Sequence, residues 1–275
     1  MKLFNIITFI CSITILGIMG CDKKDINLID ANNKWIYLDS SNSTNIKIVQ
    51  LFAGNTPQVP TAPTPTTGPQ VFIYANGAKL NGTSLSYGGL FPTTNVYANI
   101  PSGVTKFDII NGRIDLTVVP NIPKFIAGDT LATLTATLDK GKFYTLYIGD
   151  TVPTVRVTLK EDVLPIPDYQ KYKIRLANFL MNPLDTVTLF SRRENAEIIS
   201  NITHKNVSDW VQLSLPIISD TMELRRKGSP TTYITAIFGS TPPILPTGQR
   251  MYTVIARGRT GLTGKLPSAF IITNR

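Results

Sequence analysis

From Ile46 onward, no long stretch of the chain carries apolar residues at the i, i+3, i+4 spacing with which a helix buries one face. Short runs that alternate, or that are rich in β-branched residues, recur between turn residues instead: Ile46 to Phe52, Val71 to Tyr74, Val96 to Ile100, Phe107 to Ile110, Phe143 to Ile148 and Val155 to Leu159. Asn76-Gly77, Asn81-Gly82, Asn111-Gly112 and much of the 19 Gly and 19 Pro punctuate them. Such a chain is expected to be all-β.

The pattern occurs twice. Ile46-Lys47-Ile48-Val49 is answered by Tyr172-Lys173-Ile174-Arg175, and Val71-Phe72-Ile73-Tyr74 by Val187-Thr188-Leu189-Phe190. Gly141 to Leu146 is answered by Gly248 to Val254, one residue longer. The offsets fall from 126 (Lys47 to Lys173) to 116 (Val71 to Val187) to 108 (Tyr144 to Tyr252), so the copies differ mainly in loop length. Period-two faces place Tyr144, Leu146 and Ile148 with Tyr252, Val254 and Ala256 on the expected core side. Two copies of about a hundred residues each predict two tandem antiparallel β-sandwiches, immunoglobulin-like or transthyretin-like, over 45–164 and 165–275. Val163-Leu164-Pro165-Ile166-Pro167-Asp168 is the joint, where two prolines stop strand pairing.

Ahead of this region lies Lys2 and then a nearly uninterrupted apolar run from Leu3 to Met19, which reads as a secretory signal too short for a comfortable bilayer span. Ile18-Met19-Gly20-Cys21 resembles the lipobox of bacterial lipoprotein signals. That resemblance implies a signal over 1–20, cleavage after Gly20 and lipidation of Cys21; the alternative is an uncleaved anchor with an incidental cysteine. Of the 2 Cys, Cys11 then leaves with the signal and Cys21 carries acyl chains, so no disulfide is expected. Residues 21–44 read as the lipidated Cys and a polar tether.

A Lys/Arg-containing first strand, the Val71-x-x-Tyr74-x-Asn76-Gly77 hairpin, Tyr87-Gly88 and the late Tyr144-Thr145 strand together resemble the domain of unknown function four-three-nine-seven, found in tandem on envelope lipoproteins of Bacteroidota. The resemblance spans most of 45–275 and weakens in the second copy, where no Tyr-Gly follows the hairpin and Arg192-Arg193 stands in the turn. It implies a fold and a place at the outer membrane, on its periplasmic face or at the cell surface, and no activity.

Chemistry is sparse. The lone His204 sits in a polar, turn-like stretch with no nucleophile context around it, so no Ser/His/Asp triad is expected. No metal-ligand spacing and no glycine-rich phosphate loop occurs, and no cofactor is expected. Asp108, Asp115, Asp129, Asp139 and Asp150 fall mostly at turns or strand ends; with Glu161, Glu194, Glu197 and Glu223 they single out no carboxylate pair. Trp35, Tyr87, Phe91, Tyr97, Trp210 and Tyr233 could stack on sugars or serve the cores. Asn55 to Pro69 is Pro- and Thr-rich, an extended contact segment or a tolerated insertion. No signature of specific nucleic-acid binding is present.

Charge is uneven. Residues 21–164 hold twelve Lys or Arg against eleven acids, and 165–275 hold fourteen against seven. Arg192, Arg193, Arg225, Arg226 and Lys227 cluster at expected turns, as a solvated face or as a site for anionic glycan or lipopolysaccharide. Asp precedes Thr130, Thr151, Thr186 and Thr221, triplets that resemble the O-glycosylation sequon of Bacteroidota or simply make turns. The expected function is a membrane-anchored, non-enzymatic envelope lipoprotein that binds, adheres or serves structure, its partner a glycan or another envelope protein. Glycan capture within a polysaccharide-uptake system, and polysaccharide hydrolysis, are the alternatives.

Overall fold

The computed structural model describes residues 40–53, 70–93, 96–112, 115–116, 125–126, 128–150, 155–182, 185–215, 220–237, 248–261 and 265–275. These belong to one compact unit. The signal, Cys21, the tether up to residue 39, Trp35, the Pro/Thr segment and Thr151 lie outside the described residues.

The chain is all-β, as expected, and folds as β-sandwiches. In the first repeat the strands are β1 (Ser43–Gln50), β2 (Val71–Ala75), β3 (Ala78–Lys79), β4 (Leu90–Phe91), β5 (Ala98–Pro101), β6 (Gly103–Asn111), β7 (Asp115–Leu116), β8 (Phe125–Ile126), β9 (Thr130–Leu138), β10 (Phe143–Gly149) and β11 (Arg156–Glu161). In the second they are β12 (Lys171–Leu180), β13 (Val187–Ser191), β14 (Ala196–Ile202), β15 (Val211–Ser214), β16 (Thr221–Arg226), β17 (Thr232–Ile237), β18 (Met251–Gly258) and β19 (Ser268–Thr273). No strand crosses the joint at 162–170.

Each repeat stacks two sheets. Order β11-β10-β1-β4, with β5 also on β1, faces order β3-β2-β6-β9 in the first; β15-β12-β18-β19 faces β14-β13-β16-β17 in the second. Pairing is antiparallel except at the centre of one sheet in each repeat, where β1 runs parallel to β10 and β12 to β18. Asn76 (φ 48°) and Gly77 (φ 81°) form the tight β2–β3 turn, a positive-φ pair that Asn-Gly adopts at little cost.

Alternation fills the cores. Ile46, Ile48, Ile73, Phe107, Ile109, Tyr144, Leu146 and Ile148 interdigitate in the first, and Ile174, Leu176, Val187, Leu189, Leu224, Tyr252, Val254 and Ala256 in the second. The face read from Tyr144 and Tyr252 is therefore the core face. The opposite faces of the central strands are buried too. Val49, Leu51 and Tyr147 of the first repeat join Ala177, Phe179, Ile255 and Ile272 of the second in a third cluster. Here Tyr147 stacks on Phe179 with ring centroids 4.6 Å apart.

Strand register corrects the alignment of the repeats. Ile46 pairs with Tyr144 and Ile174 with Tyr252, so Lys47 is equivalent to Arg175, not to Lys173. Lys173 and Arg175 are two residues apart and so share a face, which is why periodicity alone does not separate them.

Candidate functional site: the joint between the repeats

Most of the side chains with chemical potential meet where the two parallel-stranded sheets face each other. Lys47, Thr145 and Asp162 come from the first repeat, and Arg175, Thr253 and Asn274 from the second; all are buried, although three carry formal charges. Arg175 donates through Nη2 to Asp162 Oδ1 at 2.5 Å and through Nε to Thr253 Oγ1 at 2.8 Å. Thr253 in turn donates to Asn274 Oδ1, whose amide donates to the Tyr97 hydroxyl at 2.9 Å. Tyr97 and Thr145 both donate to Asp162 Oδ2, closing the circuit. Lys47 Nζ donates to the Thr273 carbonyl at 2.7 Å. A buried ion pair adds little over an apolar core of the same shape, but removing one member costs about 3–5 kcal/mol.

The network is built from equivalent positions. Ala98 pairs with Ile46 and Val211 with Ile174, so Tyr97 corresponds to Trp210. Glu161 pairs with Tyr144 and Thr273 with Tyr252, so the next residues, Asp162 and Asn274, also correspond. Lys47 lies over the Tyr97 ring at 4.6 Å, and Arg175 over Trp210 at 4.3 Å. Each repeat thus contributes a cation, an aromatic ring, a threonine and a short polar side chain, and each cation crosses to the end of the other repeat's last strand. Burial, with the nearby Arg175 charge, outweighs the attraction of Asp162 and lowers the Lys47 pKa to about 8.

At the C-terminal ends of the central strands lie two corners that also correspond. The Gly88 N–H donates to the Gln50 carbonyl, and the Lys205 N–H to that of Asn178, which equates Tyr87-Gly88 with His204-Lys205. On one side Asp150 receives His204 Nε2 at 3.1 Å and Lys205 Nζ at 2.6 Å, with Arg156 at 3.8 Å. Burial alone would raise the Asp150 pKa, yet the hydrogen bonds of His204 and Lys205, and their charges, hold it below the usual carboxylate range. His204 is thereby a fastening residue between repeats. On the other side Arg257 lies between the Tyr87 and Phe270 rings, at 4.6 and 4.4 Å, with Lys265 Nζ 4.6 Å from the Tyr87 ring. A Cβ at Gly88 would collide with the Arg257 guanidinium, so the Tyr-Gly pair read from the sequence makes room for that side chain.

Elsewhere, the cluster read as a candidate anion site is assembled on the sheet facing away from the joint, with each of its arginines on a carboxylate. Arg192 and Arg225 share the buried Glu223, Arg226 bonds Asp185 at 3.2 Å, and Arg193 bonds Glu194. Arg225 also covers the Phe190 ring and Arg226 that of Tyr233. Burial would raise the Glu223 pKa, but hydrogen bonds from Thr232, Arg225 and Arg192 keep it low. Lys227 is exposed, its N–H donated to the Thr186 carbonyl. Glu194 and Glu223 lie one and two residues from Arg193 and Arg225, whereas the pairings of Arg192 with Glu223 and of Arg226 with Asp185 span 31 and 41 residues, which no local reading of the charge run reveals.

Of the described glycosylation candidates, Thr130 and Thr221 open β9 and β16 and Thr186 immediately precedes β13; Thr130 is exposed, Thr186 and Thr221 half-buried. The preceding aspartates have structural partners: Asp150 is held by His204 and Lys205, and the Asp129 carbonyl accepts from the Asn111 N–H. Asp220 accepts from Ser191 and the Arg193 N–H, and Asp185 from Tyr233 and Arg226. Of the aromatics, Phe91 packs on the first core, Tyr233 on the second, and Tyr87, Tyr97, Trp210 and Tyr233 each lie beneath a cation. Tyr87, Tyr97 and Trp210 thus serve the joint, and Tyr233 lies on the second repeat's other sheet. Among the described residues no group of three or more His, Cys, Asp or Glu is placed to hold a metal, and no helix is long and apolar enough to cross a membrane.

No family model and no curated protein matches the sequence. Among solved structures, the Bacillus anthracis TIE protein aligns over 78% of this chain and 34% of its own, with 11% identity and a TM-score of 0.22.

Proposed function

We propose that the chain is an acylated, non-enzymatic protein of the cell envelope, in which Cys21 holds two interlocked β-sandwiches at the outer membrane as one rigid binding or adhesive body. The observation that carries this reading is the joint. Its lysine, arginine, aspartate, threonines and histidine hold one repeat to the other and have partners already, so they serve rigidity. Loops, including the Pro/Thr-rich insertion at 55–69, then supply the contacts with a glycan or an envelope protein. The resemblance to the domain of unknown function four-three-nine-seven points to the same setting, and the lipobox supplies the anchor. A diacylated or triacylated cysteine gives stable attachment where one chain would be marginal, because each buried CH₂ contributes about 0.8 kcal/mol.

Membrane fractionation of the wild type beside Cys21→Ala tests the anchor. The wild type is expected with membranes, carrying an acyl mass at Cys21, and the variant is expected in the soluble fraction or unprocessed. Wild-type protein that is soluble with residues 1–20 intact would end this reading. A glycan array run with the full chain, alongside turnover assays, separates binding from hydrolysis; product release would overturn the non-enzymatic assignment.

A further inference from the structure

We propose that the corner formed by Tyr87, Arg257 and Lys265 is a binding site for a carboxylate supplied by a second molecule, as on an acidic sugar. The inference rests on the geometry of the joint and is independent of whether the protein is acylated; it concerns residues other than the arginine cluster at 192–227.

The argument is an internal comparison. The two corners of the joint are equivalent by strand register, and one of them pairs its cations with an acid, leaving only Nδ1 of His204 without a partner. At the Asp150 corner, His204 and Lys205 of the second repeat meet an acid of the first. At the other, Tyr87 and Gly88 of the first repeat meet Arg257 of the second, and the position equivalent to Asp150 is Gly258. Among the described residues no side chain supplies that acid: a Cβ at Gly258 would lie 2.3 Å from the Leu266 carbonyl oxygen. Nε and Nη1 of Arg257 and the hydroxyl of Tyr87 are sealed from water without a hydrogen-bond partner. Leaving charged donors dry and unpaired costs more than leaving neutral ones, and native proteins rarely tolerate it without a reason.

Several features suit an incoming carboxylate. The two rings that flank the guanidinium fix its plane while offsetting part of its desolvation. Arg257 offers a fork that matches two carboxylate oxygens, Lys265 adds a second charge, and the Tyr87 hydroxyl adds a neutral donor. Burial and then the Arg257 charge lower the Lys265 pKa, and burial lowers that of Arg257, so each cation gains from an anion placed between them. Access requires the half-buried Lys265 side chain to leave the Tyr87 ring, a rotamer change of a long flexible chain.

The test uses the full chain, labelled with ¹⁵N, titrated with D-glucuronate, with glucose as the neutral control and inorganic phosphate as a second anion. The Arg257 Nε–H and Gly88 amide resonances are expected to move saturably with glucuronate and to stay still with glucose, with the response weakening as salt is raised. Arg257→Gln should weaken binding at least 10-fold as read at Gly88, Arg257→Lys should recover part of it, and Lys265→Met should cost several-fold. Lys265 is exposed enough that its variant tests the site even if Arg257→Gln fails to fold. Lys140→Met, in the exposed turn between β9 and β10, should leave the affinity unchanged. No shift with glucuronate, an equal response to glucose, or undiminished binding by Lys265→Met and Arg257→Gln would overturn the site; a tighter response to phosphate would overturn its assignment to a carboxylate.

Discussion

Lys47 is 1% exposed, yet it holds its ammonium against a single carbonyl and the face of Tyr97. Its pKa falls from 10.5 to about 8, so between those values the unfolded chain keeps a proton that the folded chain has released. Stability then rises with pH across that window and is lost as pH falls through 8, by roughly 3 kcal/mol in total at 1.36 kcal/mol per unit. Tyr87 and Tyr147, raised by burial to about 12, act in the opposite sense: the folded chain holds protons that the unfolded chain gives up above pH 10, and stability falls there. Urea midpoints should therefore climb from pH 7.5 to near 10 and then drop. Lys47→Met should remove most of the climb, leaving the smaller part due to Lys265, and should keep the drop. An unchanged profile in the variant would show that Lys47 is not the titrating group. At this scale the sequence was partly legible. Lys47 and Arg175 stand out as charges inside β-branched runs, but the acid that answers them, Asp162, follows a different strand and looks like any residue at a strand end.

The strands themselves were readable where local chemistry decides them. Asn76-Gly77 marks its hairpin because few other pairs accept that backbone, and the runs at Val71 and Phe143 match β2 and β10 to within one residue, while β1 and β6 begin three and four residues before the runs read at Ile46 and Phe107. Two things were not written locally. The parallel pairs β1–β10 and β12–β18 join residues 98 and 78 positions apart, and no turn announces them. The second buried face of those strands was also hidden, because Val49, Leu51 and Ile255 read as part of an apolar run whether a strand has one buried side or two. Phe179 tests that face. It is 3% exposed, stacks on Tyr147 and belongs to the cluster between the repeats, not to either repeat's own core. Phe179→Ala should cost about 3–5 kcal/mol, the loss of a large buried ring plus the cavity left behind. Tyr147→Ala added to it should cost less than the sum, since the two rings share one contact. Calorimetric or urea unfolding measures both; a loss under 1 kcal/mol for Phe179→Ala would mean that the repeats do not depend on this face.

At the scale of the whole molecule, the duplication was visible and the merging was not. Two copies with their own cores suggest two domains, yet the described residues form one compact unit because the copies bury their central sheets against each other. The joint is self-complementary: equivalent cations, rings, threonines and polar side chains face one another, the arrangement of a two-fold dimer in which one surface meets its own copy. This geometry leads to a prediction about cutting the chain. Separated into 21–164 and 165–275, each half would expose an apolar face and an unpaired buried charge, Asp162 on one and Arg175 on the other. Each half alone should be destabilised or self-associate, and the two expressed together should form a 1:1 complex whose size matches the intact chain. Arg175→Ala should weaken that complex by more than 100-fold, because about 3–5 kcal/mol is lost when one partner of a buried pair is removed. The intact chain should melt in a single transition, since neither core survives the loss of the other's support. Two resolved transitions, or halves that are separately stable and monomeric at micromolar concentration, would show that the joint is a contact between independent domains. A single transition with reassociating halves would place the rigidity of the molecule in the joint, where its buried charges are.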